Sequence, residues 1–202
     1  AGPPLDLICP SIAAVFFAVS HSLKQATWRS TPASEEKADI EAAEFLDSCV
    51  ADMSFTWSDT LSFCIDPMLE QGFSLTELVY KKRLGDIPPG QGLAISQFDD
   101  GRVGWRKWAP RPALSLTPGD EWIFDDNGGI QGINQTDFST GKNYSIPIIK
   151  LLHFRTTVAP TNNPEPPPIH RPAWLPYWYS SNIQEIEGIG IERDLNGVPV
   201  VY

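Results

Sequence analysis

The last thirty residues constrain the fold more than any other stretch, because they read as a single rod that leaves the rest of the chain. Residues 173–202 open on an aromatic head, Trp174, Tyr177, Trp178 and Tyr179, and carry Gly188 and Gly190 inside a helical pattern. The helix is predicted to start near Ala173–Pro176 and to stop at Gly197, with a β-branched strand stub over 198–202. Two interior glycines cost roughly 1 kcal/mol each relative to alanine. A helix that keeps them is expected to be approached closely by another helix. Ile183, Ile186 and Gly190 recur at three- and four-residue steps and form a narrow apolar seam. The seam has two possible partners, its own domain or the same helix of a neighbouring subunit. The aromatic head likewise fits a core or a subunit interface, where Trp and Tyr are enriched.

Upstream, residues 156–172 hold Pro160, Pro164, Pro166, Pro167 and Pro168, an extended linker with little freedom to fold. Before it, three helices are predicted. The first, Ser11–Gln25 with Ser11 as N-cap, contains the apolar run Ile12–Val19. That run lacks a preceding base and is far shorter than the ~20 residues that span a bilayer, so it reads as a buried helix rather than a leader or an anchor. The second, Glu35–Asp52 after Ser34, carries an apolar stripe of Ile40, Ala43, Phe45, Leu46, Cys49 and Val50, with Glu35 and Glu36 suiting the helix dipole. The third, Trp57–Gln71, has Pro67 inside as a kink or late break, and Gly72 as a left-handed stop.

The texture then becomes β. Phe73–Tyr80 pairs with Val103–Trp108 across a loop over Gly85–Arg102. Glu121–Phe124 and Gly129–Asn134 flank Asp125-Asp126-Asn127-Gly128, a hairpin signal. Ile146–Phe154 supplies one more strand. The order of parts is α+β: N-terminal helices, a small antiparallel β layer, a proline-rich linker and a long C-terminal helix. The expected units are 1–155, the linker 156–172, the helix 173–197 and the stub 198–202.

Composition narrows the function. A formal charge of −10 opposes a broad electrostatic grip on nucleic acid. Cys9, Cys49 and Cys64 are unclustered and read as buried thiols in a reducing compartment. His21, His153 and His170 have no second ligand at metal spacing, so neither a metal nor a cofactor is expected. Asp99-Asp100 and Asp125-Asp126 precede glycines and read as turns. Lys81-Lys82-Arg83 and Arg102–Lys107, interleaved with Trp105 and Trp108, read as a polar sheet face in preference to a nucleic-acid patch. Glu185 and Glu192 are two turns apart on one helical face, about 10 Å along the axis. Glu187 and Asp194 repeat that spacing on a neighbouring face. Such stripes are ordinarily solvated, and the alternative of an acid pair in a glycosidase-like cleft rests on nothing else in the chain.

Six blocks in order carry a resemblance: Trp28-Arg29-Ser30-Thr31-Pro32; Trp57 followed by Gly72-Phe73-Ser74, Glu77 and Val79-Tyr80; Asp100-Gly101-Arg102-Val103-Gly104-Trp105-Arg106-Lys107; Asp125–Gly132; Ile146–Arg155; and Asn182–Val200. Together they resemble the portal proteins of tailed bacteriophages, in the Mu-like branch, specifically the wing and first stem helix. The clip, returning stem helix and crown of such portals have no counterpart in these residues. An opening Ala1 in place of Met fits a processed or excised piece. The family's N-P-x-G-R-S-x-L-R turn is replaced by Asn163-Pro164-Glu165-Pro166-Pro167-Pro168-Ile169-His170-Arg171, in which Arg171 is the clear survivor.

The resemblance implies a homo-oligomeric ring, generally a dodecamer, at one capsid vertex, with no catalysis of its own. It implies as partners the major capsid protein, the terminase large subunit, head-tail adaptor proteins and double-stranded DNA passing through the channel. It also implies a virion location, with assembly in the host cytoplasm and no membrane. On that reading Glu185, Glu192, Glu187 and Asp194 are channel-facing candidates, and Ile183, Ile186, Gly190, Trp174, Trp178 and Arg171 are subunit-interface candidates. Competing readings are a truncated, prophage-derived monomeric binding module and an enzyme using the helix carboxylates.

Overall fold

The computed structural model describes residues 9–86, 95–157 and 163–195, with the backbone alone for 194 and 195. The expected stop at Gly197, the stub 198–202 and part of the loops at 87–94 and 158–162 lie outside the described residues.

Helix α1, Pro10–Lys24, begins with Pro10 in its first turn, where a missing N–H is tolerated. Its N-cap is therefore Cys9, without a side-chain cap bond, and not Ser11. Helix α2 spans Lys37–Ala51 after the N-cap Glu36. Ser34 closes the preceding turn instead of capping: its Oγ accepts from Glu36 N at 3.1 Å and donates to Asp39 Oδ2 at 2.6 Å. Asp39 is thus the acid in the first turn, and Glu35 and Glu36 fall outside it. Helix α3, Trp57–Gln71, matches its predicted span, runs on through Pro67, and is capped by Thr56, whose Oγ1 accepts from Asp59 N at 3.1 Å. Gly72 ends it at φ 92°.

Strand β1, Phe73–Leu84, is the centre of a three-stranded antiparallel sheet. Its neighbours are β2, Asp99–Arg111, and β6, Leu151–Arg155. The second sheet has β4, Ile130–Thr136, between β3, Trp122–Phe124, and β5, Asn143–Pro147. Asp125 fixes the β3–β4 turn by accepting from Asn127 N and Gly129 N. The expected single strand Ile146–Phe154 is in fact two. Pro147 ends β5, a single 3-10 turn over Ile148–Lys150 redirects the chain, and β6 joins the other sheet. The core between the sheets is Phe73, Leu75, Leu116, Ile133, Ile146 and Leu151.

A second cluster, Leu61, Ile65 and Leu69 of α3, takes Phe16 from α1. Below it Ser20 Oγ donates to Asp66 at 2.6 Å and Lys24 Nζ pairs with Asp66 at 2.7 Å. This narrow contact corrects the expectation that α1 is buried: Val15 is 64% and Phe17 69% exposed. The helix meets α3 along one edge, so most of its apolar run faces outward.

Candidate functional site

The C-terminal helix α4, Trp174–Leu195, follows a 3-10 turn over Arg171–Ala173. At 22 residues it is about 33 Å long. Trp174, Leu175, Trp178, Tyr179, Ile183, Ile186, Ile189 and Ile191 are all exposed. A Cβ added at Gly188 or Gly190 would meet nothing within 4 Å. Glu185, Glu187 and Glu192 are exposed and pair with no base among the described residues.

At about 100° per residue, Ile183, Ile186 and Gly190 share one arc of the helix. Ile191 and Gly188 occupy a second arc roughly 140° away. Positions 187 and 194 lie between these arcs on the shorter side, and 185 and 192 on the longer side with Trp174 and Trp178. A helix resting on one domain needs a single apolar stripe. This one carries exposed apolar residues around most of its circumference, Ile189 and Leu175 lying on the longer side, and positions 187 and 194 fall in the gap between the two arcs.

The root of α4 is tied down by the proline strap. Pro164 and Pro166 are buried, and the Pro166 carbonyl oxygen lies 1.8 Å from where a Cβ of residue 72 would stand. Gly72 is therefore required twice, for its left-handed φ and for this approach. Thr156 N donates to Gly72 O at 2.9 Å, and Trp122 Nε1 donates to Glu165 at 2.8 Å. His153 packs edge-on to Phe73 beneath the strap. Burial pushes its imidazole down to about 4, Arg155 adding to the shift and a hydrogen bond with the Pro164 backbone opposing it. It is neutral at pH 7. His21 is bonded to Gln25 and stacked on Phe17.

The basic cluster is a polar sheet face only in part: Lys82, Arg102 and Arg106 are exposed. Lys81 and Arg83 share strand parity with Phe73 and Leu75, so they point inward beneath α2. Lys81 Nζ pairs with Asp52 at 3.0 Å and donates to Ile95 O at 2.8 Å. Arg83 is held between the rings of Phe45 and Phe98, bonds Ser48 at 2.8 Å and pairs with Asp100 at 3.1 Å. Burial alone would raise the Asp52 carboxyl. Hydrogen bonds from Gln97 N–H, Ser96 Oγ and the Lys81 ammonium outweigh it and hold the group below the ordinary carboxylate range. Lys81 and Arg83 are thus engaged internally.

The tryptophans of that segment form something the sequence reading missed. Val79 pairs with Lys107 but Tyr80 with Trp105, so Arg106 is an extra residue in β2. Such a bulge re-aims side chains. Strict alternation would put Trp105 and Trp108 on opposite faces, and the bulge brings them together at 5.4 Å. Trp57 stands edge-to-face on Trp108 at 5.4 Å, and Trp28 on Trp57 at 6.4 Å. With Arg29, Ser30, Leu46, Asp47 and Val50 they line an open groove of about 260 Å³. Trp28 is 59% exposed. Asp47 anchors the Trp28 segment by accepting from Ser30 N and Oγ.

Among the described residues no group of three or more His, Cys, Asp or Glu could hold a metal, and no helix is long and apolar enough to cross a membrane. Cys49 and Cys64 are buried and Cys9 half-buried, all three free. Burial raises the Cys64 thiol to about 11. No curated protein matches the chain. The family model described as the portal protein of Mu bacteriophage matches residues 7–201, nearly the whole chain, which therefore belongs to the Mu-like phage portal family.

Proposed function

We propose that this chain is the wing and first stem helix of a homo-oligomeric ring at one capsid vertex, with α4 as a wall element of the channel through which double-stranded DNA is packaged and ejected. The supporting observation is that α4 leaves the wing with its apolar residues and both glycines uncovered, Gly190 and Gly188 on opposite flanks of the acidic arc. In a head-to-tail ring each subunit presents two unlike flanks to its neighbours. The inward arc between them is always the shorter one, since the interior angle of a closed ring is below 180°. On α4 that arc carries positions 187 and 194, so Glu187 faces the lumen, and Glu185 and Glu192 face outward. An acidic lumen repels the phosphate backbone and lets DNA slide. On this reading the chain acts as a conduit and performs no chemistry. The terminase large subunit, the major capsid protein and head-tail adaptors meet the ring at its rims.

The test is to replace Glu187 with Lys and, separately, Glu185 with Lys, in particles that still assemble. Packaged DNA per particle should fall at least tenfold for Glu187→Lys and stay near wild type for Glu185→Lys. Equal yields from the two variants would remove the lumen assignment. A chain that is monomeric at every concentration by native mass spectrometry would support a monomeric binding module instead.

A further inference from the structure

The four-tryptophan groove has no role in the conduit itself, yet its construction is specific. A bulge re-aims Trp105, three edge-to-face contacts lock the indoles in series, and Asp47 holds the Trp28 segment. The indole N–H groups of Trp57 and Trp108 are buried without a hydrogen-bond acceptor. T-shaped stacking leaves neighbouring π-faces as their surroundings. Leu46 and Trp28 remain open to solvent. An apolar opening of this kind is commonly an interaction surface.

What fits it is on the same chain. The outer arc of α4, the one turned away from the lumen, begins with Trp174 and Trp178, both exposed. Arg171 stands one turn before them and is exposed, pairing with no carboxylate among the described residues. A guanidinium stacks on indole faces and pairs with carboxylates. The groove supplies both: four indoles, Asp47 in its wall and Glu44, exposed, on the adjoining turn of α2. Arg29 and Asp47 both line the groove and balance each other, and Glu44 beside it adds a second carboxylate. In its own chain α4 makes contacts chiefly with its preceding turn, which leaves a second copy as the source of the guest.

We infer that the Trp28–Trp57–Trp105–Trp108 groove receives the root of α4 from a second copy of this chain, with Trp174 and Trp178 entering the groove and Arg171 set against Asp47 and Glu44. The inference rests on the ring reading above and names the surface by which one wing grips the next stem.

The experiment mixes two variants of the full chain, each with one added cysteine, Trp28→Cys in one and Trp174→Cys in the other, in a Cys9→Ser background that keeps the buried Cys49 and Cys64, under mild oxidation. The expected result is a disulfide-linked pair in the mixture and none in either variant alone. A mixture with no linked pair, or a link formed within one chain carrying both substitutions at high dilution, overturns the inference. A second arm guards against local disruption. Arg171→Glu should lower ring yield at least tenfold with an unchanged melting temperature, and adding Glu44→Arg should restore it. Undiminished rings in Arg171→Glu overturn this docking and leave the ring reading standing. A wild-type chain that never assembles removes the ring reading, and this docking with it.

Discussion

The region beneath α2 and the helix α4 treat polar and apolar groups in opposite ways. Under α2 the ionic groups are paired within the chain: Lys81 has the Asp52 carboxylate and the Ile95 carbonyl, and Arg83 has Ser48, Asp100 and two aromatic rings, with its Nε alone left without an acceptor. Along α4 eight large apolar side chains are exposed, and two glycines have nothing beside them. The first region is finished by the chain itself. The second is left open among the described residues. On the ring proposed above, stability resides in the wing and the strap and assembly in the stem, so substitutions in the two regions should separate folding from association.

The sharpest break comes from Asp52→Ala. It leaves Lys81 buried without its counter-ion, and melting of the wing should show a loss of about 3–5 kcal/mol. Gly72→Ala follows, since the new Cβ requires both a left-handed φ and displacement of the Pro166 carbonyl. A loss on the order of 3 kcal/mol is expected, with faster amide exchange at Thr156. Next, acid should destabilise the strap region. His153 is held at about 4 when folded, against its ordinary 6.5. The unfolded chain therefore takes up the proton first, and stability is full above pH 6.5 and declines as pH falls towards 4. His153→Phe should flatten that slope in melts taken across this window. The smallest effect on melting belongs to Gly190→Leu. On an exposed helix it should raise monomer stability slightly, by up to about 1 kcal/mol, while ring yield by light scattering collapses. Loss of both together would place the seam inside the wing.

Where local chemistry decided the structure, the sequence was readable. Helix α3 was legible to the residue because Gly72 and the apolar period agree, and the β3–β4 hairpin because Asn127-Gly128 supplies the turn, although only Gly128 adopts positive φ. Pro147 was the overlooked signal that Ile146–Phe154 divides between two sheets. The inward direction of Lys81 and Arg83 was present in their parity with Phe73 and Leu75, but their charge argued the other way. The Arg106 bulge left no local mark. It depends on pairing with β1 and on Ser54 N bonding the Arg106 carbonyl at 2.8 Å, contacts made only in the folded chain. Arg171, Trp174 and Trp178 were chosen from sequence as interface candidates, whereas the groove proposed to receive them was not visible there.

The most direct measurement is electron cryomicroscopy of the assembled particle at a resolution that traces side chains. The account predicts a closed ring with α4 along its bore, Glu187 pointing into the lumen, and Gly190 of each copy facing the Gly188 flank of the next. A particle in which α4 lies folded onto its own wing, with Gly190 packed against α1 or the sheet, would contradict it.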